Sequence, residues 1–73
     1  MQKVTDAQRR EFGAWLRRER QRLGLTQLEL AAAARVVIST VHKAEVGTHL
    51  PQPRVREALR EALAAAEAKG ART

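Results

Sequence analysis

The chain has 73 residues, no cysteine, two histidines, and 14 lysines and arginines against 8 aspartates and glutamates, a net charge of +6. That length accommodates one domain with a thin core, because so small a chain buries only about 60% of its unfolded surface. The composition excludes a disulfide scaffold and a thiolate metal site, and two histidines without a ligand cluster argue against zinc, so neither metal nor cofactor is expected.

The longest stretch without a strong breaker, ELAAAARVVI, is interrupted by Arg35. It is far shorter than the roughly 20 apolar residues of a membrane span. The opening MQKVTDAQRR lacks the apolar centre of a signal peptide, so a cytoplasmic setting without membrane contact is expected. The positive balance favours a polyanionic partner, although charge alone fits a solvated helix surface equally well.

Helical periodicity runs through the chain, and no strand-like alternation of any length competes with it. From about Asp6 to Arg22, Phe12, Leu16 and the following Leu23 recur at near-helical spacing. Asp6 is the expected N-cap and Gly24 the expected stop. Arg9, Arg10, Arg17, Arg18 and Arg22 occupy the other sides, and Trp15 flanks the apolar stripe as a packing residue. In LTQLELAAAA, residues 25–34, Thr26 and Glu29 have the spacing of a capping box that opens a second helix. Its narrow inner face is Leu30, Ala31 and Ala34, with Leu28 off that face.

RVVISTVHKAEVG, residues 35–47, predicts a third helix after a tight connection at residues 35–37. Advancing 100° per residue puts Val37, Val41 and Ala44 on one side and Ser39, His42, Lys43 and Val46 on the other, with Ile38 and Glu45 on the flank. One narrow stripe is thus expected to be buried and a polar, cationic side presented. Beyond Gly47, THLPQP reads as a loop, and Pro53 suits the first position of a helix. That helix is expected to run to about Lys69 on Val55, Leu59 and Leu63, flanked by Ala58, Ala62 and Ala66, and to close the core. Gly70 to Thr73 are expected to fray, and Arg54, Arg56 and Arg60 are either electrostatic support or solvated face.

Two short helices after a basic first helix have the spacing of a helix-turn-helix. The run LGLTQLELAAAARVVISTVHKAEVG, residues 23–47, resembles the Cro and phage-repressor type helix-turn-helix, the XRE family. Leu23, Gly24, Leu25, Thr26, Gln27, Glu29, Leu30, Ala31, Thr40, Val41, Glu45 and Gly47 fit its pattern in order, and flanking helices extend the likeness to about residues 10–65. The resemblance implies an all-α, lambda-repressor-like bundle of four to five helices, one domain over 1–73, with the helix-turn-helix at about 26–46 and the closing helix at about 53–69.

It also implies double-stranded DNA as partner. The family's second helix would set Gln27 against a phosphate, and its third helix, Ile38 to Val46 here, would enter the major groove. Ile38, Ser39 and Lys43 would read base edges, Thr40 and His42 would lie at the groove wall or the backbone, and Thr48 and His49 would meet phosphate. Arg20 matches a buried basic residue that pairs with Glu45. Two positions depart from the pattern: Arg35 stands where the family usually has glycine, and Val37 where it has a serine or threonine cap.

The expectation is a dimeric transcriptional regulator, a repressor, without catalytic chemistry, since no nucleophile with a base, carboxylate pair or phosphate loop is present. The alternatives are an antitoxin-like module holding a protein partner through its last helix, and an architectural or recombination accessory protein.

Overall fold

The computed structural model describes residues 4–70, which form four α-helices and, among the described residues, no strand. They are α1 (Asp6–Arg22), α2 (Gln27–Ala34), α3 (Ile38–Val46) and α4 (Pro53–Gly70). The expected all-α architecture is found, with four helices and an uninterrupted closing helix.

Local chemistry sets the boundaries. Two capping boxes start helices: Thr5 Oγ1 accepts from the Gln8 amide while Gln8 Oε1 accepts from the Thr5 amide, and Thr26 and Glu29 exchange the same pair of bonds. The first corrects the expectation of an Asp6 cap. Thr-x-x-Gln supplies both reciprocal bonds one residue earlier, so Asp6 becomes the first helical residue and pairs with Arg9. Pro53 takes the first position of α4, where its missing N–H costs nothing.

Each of the first three helices ends in a left-handed residue that turns the chain back: Gly24 (φ 73°), Arg35 (φ 60°) and Gly47 (φ 83°). At each end the next amide reaches back to a carbonyl of the last turn, Leu25 to Arg20, Val36 to Ala31 and Thr48 to Lys43. The glycines adopt this backbone freely. Arg35 does not, and Val37 at the head of α3 makes no side-chain capping bond.

The core joins one stripe from each helix: Leu16 from α1, Leu30, Ala31 and Ala34 from α2, Val41 and Ala44 from α3, and Leu59, Ala62 and Leu63 from α4. α1 packs on α3, and α2 packs on both α3 and α4. Burying each leucine stabilises the fold by roughly 1.5–3 kcal/mol relative to exposure. Phe12 and Trp15 lie beside this core with their rings tilted by 38° and their centres 5.7 Å apart, and the Arg60 guanidinium lies 6.0 Å and 5.7 Å from those centres. Trp15 therefore packs as expected, and Arg60, although exposed, lies as a cation over the two rings. Pro51, a loop residue the periodicity did not single out, is fully buried.

Val37 is the second correction. It was expected on the buried side of α3 but is 65% exposed. The helix starts one residue later, and Val37 itself is extended (φ −74°, ψ 149°), so a wheel begun at that residue misdirects its side chain. The expected fraying does not include Gly70, which is still helical; the remainder of that expectation, residues 71–73, lies outside the described residues.

Both departures in the turn give a testable expectation. Arg35→Gly removes a left-handed cost of about 1–2 kcal/mol but adds freedom to the unfolded chain, leaving a gain of about 0.5 kcal/mol. Val37→Ser supplies the missing cap at a position that buries little, a gain of about 1 kcal/mol. In a domain this size the pair should raise the melting temperature by several degrees. A lower melting temperature for either variant would contradict the turn geometry described here.

Candidate nucleic-acid interface

α3 is fixed from three directions. Val41 and Ala44 are buried beneath it. α1 comes close because Gly13 has no side chain: a Cβ there would collide with the Ala44 carbonyl oxygen and lie 3.0 Å from that of Glu45. The third restraint is ionic. Arg20 Nε donates to Glu45 Oε2 at 2.7 Å, Nη2 to Glu45 Oε1 at 3.0 Å, and Nη1 to the Leu25 carbonyl at 2.8 Å. Gln27 Nε2 adds a fourth bond, to Glu45 Oε1 at 3.1 Å.

The Arg20 and Glu45 side chains are only 13% and 3% exposed, so this is a partly buried bidentate pair that joins α1, the α1–α2 turn, α2 and α3. The Glu45 bond holds the Arg20 guanidinium above its ordinary pKa, against the opposing effect of burial. The Arg20–Glu45 pair expected from the resemblance is therefore present.

The other side of α3 is presented. Ser39, His42, Lys43 and Val46 are exposed, Ile38 is 46% exposed, and Thr40 is half-buried. Gly47 turns the chain sharply. The Thr48 amide and hydroxyl then both donate to the Lys43 carbonyl at 3.2 Å, which brings Thr48 and His49 alongside the helix. As a result Ser39, Thr40, Lys43, Thr48 and His49 line one concave surface. Five of the eight residues expected to meet DNA are gathered there. Ile38 and His42 stand on α3 outside the concavity, and Gln27 lies beside Glu45, its amide already engaged within the fold.

The surface is donor-rich and cationic: three hydroxyls and an ammonium with an imidazole suit phosphate oxygens and base-edge acceptors. Lys43 also sits in the last turn of α3, where the helix dipole favours a cation. Some of the other charges bind the fold to itself. Arg22 bridges Glu19 and Glu67 at 2.8 Å and 2.7 Å, tying the end of α1 to α4. The hydrogen bond from Arg22 lowers the Glu19 pKa, while Glu19 and Glu67 together raise that of Arg22; Arg22 is exposed and Glu19 partly so, so the gain is small.

Gly13 is the positioning residue that periodicity passed over. The signal was available, since a glycine in a helix interior is unfavourable unless close packing requires it. The Leu25 carbonyl and the Gln27 amide as partners of the ion pair had no such signal.

Residues 11–72 match the family described as "Helix-turn-helix domain", which covers most of the chain and all four helices in whole or part. No curated protein and no solved structure matches the chain. No helix among the described residues is long and apolar enough to cross a membrane.

Proposed function

We propose that this chain, which belongs to the helix-turn-helix domain family, is an XRE-type, sequence-specific double-stranded DNA-binding protein and a cytoplasmic transcriptional repressor. α3 enters the major groove; Ile38, Ser39 and Lys43 meet base edges, Thr40 and His42 the groove wall, and Thr48 and His49 the phosphates. Gln27 acts at the head of α2, where helix amides point outward toward a phosphate while its side chain steadies Glu45. Two copies bind half-sites about 34 Å apart, one helical turn. The protein has no catalytic role.

One observation carries this reading: five of the eight residues that the family pattern assigns to DNA line one concave surface on the exposed side of a helix whose opposite side is locked into the core. Lysine donates to guanine O6 and N7, and each specific base contact discriminates by about 1–3 kcal/mol.

Affinity for duplex DNA is therefore expected to fall steeply as salt rises, because each neutralised phosphate releases condensed counterion. Lys43→Ala should keep the parent melting curve, weaken a selected duplex by about 1–3 kcal/mol and relax preference at one base pair. A phosphate-only Lys43 would weaken all sequences alike. Binding that ignores salt, or a folded Lys43→Ala variant that binds selected and scrambled duplexes as the parent does, would reject this surface as the reader.

A further inference from the structure

α1 carries six arginines, and they divide cleanly. Arg9 pairs with Asp6, Arg20 with Glu45, and Arg22 with Glu19 and Glu67. Arg10, Arg17 and Arg18 form no ion pair among the described residues, Arg18 acting on Glu19 only through space, and all three line a single concavity together with Ala14, Gln21 and the Glu45–Gly47 end of α3. The one carboxylate at its edge, Glu45, is already held by Arg20 and Gln27. A surface with three guanidinium groups outside any ion pair stands there, on one side of α1: residues 10, 14, 17, 18 and 21 fall within an arc of about 100°. Over the seven residues from Arg10 to Arg17 the helix advances about 10 Å.

Its place relative to α3 gives it a purpose. Val46 belongs both to the presented face of α3 and to the rim of this concavity. Lys43, with Thr48 and His49, lines a separate concavity, whose α3 positions 39, 40 and 43 are centred about 115° round the helix from positions 45 and 46 of the first. A helix seated in a major groove about 12 Å wide has a phosphate strand on either side. We infer that Arg10, Arg17 and Arg18 form a second phosphate-binding surface, which grips the DNA strand opposite the one met by Thr48 and His49. The inference rests on the proposed DNA-binding reading and extends it from one groove wall to two. These arginines contribute affinity and salt sensitivity without reading sequence, because guanidinium contacts to phosphate carry no base information.

The test compares two variants that each remove two positive charges. Arg17→Gln/Arg18→Gln neutralises the surface. Arg54→Gln/Lys69→Gln neutralises two exposed cations on α4. Affinity for a selected and a scrambled duplex is measured over a salt series, with circular dichroism melting to verify the fold. The α1 variant should lower the slope of log affinity against log salt by about 2 and weaken both duplexes by the same factor, whereas the α4 variant keeps the parent slope. Equal slopes for parent and α1 variant overturn the inference while leaving Lys43 as a reader. An unchanged DNA slope with lost binding to a polyglutamate peptide also overturns it, and assigns the surface to an acidic protein segment instead. A parent chain that binds neither duplex rejects the DNA-binding reading and this inference with it.

Discussion

Gly13→Ala is expected to destabilise the domain by about 3 kcal/mol, although alanine is the better helix former. The intrinsic preference favours the variant by about 1 kcal/mol. Opposing it, the new methyl meets backbone on α3, the carbonyl oxygens of Ala44 and Glu45, which cannot swing aside as a flexible side chain could. α1 and α3 must separate along the contact that also holds Leu16, Val41 and the Arg20–Glu45 pair, and overpacking of this kind costs about 1–3 kcal/mol or more. In a domain whose total stability lies near the lower end of about 5–15 kcal/mol, most of the margin goes.

Gly24→Ala and Gly70→Ala isolate the cause. An added Cβ has nothing within 4 Å at either position, but Gly24 has φ 73° while Gly70 does not have a left-handed backbone. Gly24→Ala should cost about 1 kcal/mol from backbone strain, and Gly70→Ala should be neutral or slightly stabilising. Chemical denaturation of the three variants ranks them. A Gly13→Ala variant as stable as the parent would mean that α1 does not approach α3 as described.

The contrast between Gly13 and Val37 explains how far the sequence could be read. Features encoded by a few neighbouring residues were legible: the Thr26–Glu29 box, the Gly24 and Gly47 stops, Pro53 at the head of α4, and the stripe of Leu30, Ala31 and Ala34. Each depends on spacing within about one turn, which the sequence states directly. Val37 was misread because its direction depends on whether it belongs to the helix, and one residue of boundary error rotates a side chain by 100°. Asp6 was misread the same way. Gly13, Pro51 and the Arg60 guanidinium over Phe12 and Trp15 depend on which helices meet, a long-range fact.

The proposed binding surface divides likewise. Ser39, Thr40 and Lys43 share a helix, so their common exposure follows from periodicity. The return of Thr48 and His49 to the same concavity follows from the left-handed Gly47, and the family pattern supplies the rest.

Arg20→Ala is expected to cost about 3–5 kcal/mol, against at most about 0.5 kcal/mol for the exposed Arg18→Ala. Removing the guanidinium deletes three bonds at once, two to Glu45 and one to the Leu25 carbonyl. The Glu45 carboxylate, 3% exposed, would keep only the Gln27 amide. Arg20→Lys should recover only part of the loss, because an ammonium cannot make the two-pronged contact to both carboxylate oxygens.

The double variant Arg20→Met/Glu45→Leu separates stability from positioning. Removing both charges leaves no stranded carboxylate, so most of the melting temperature should return, as when buried ion pairs are replaced by apolar residues of similar volume. Gln27 and the Leu25 carbonyl would nevertheless lose the partners that fix the head of α2 against α3. DNA affinity should then stay below that of the parent even where the fold is restored. If the double variant regains both stability and affinity, the pair serves the fold alone; if Arg20→Ala and Arg18→Ala melt together, the bidentate pairing does not exist in solution.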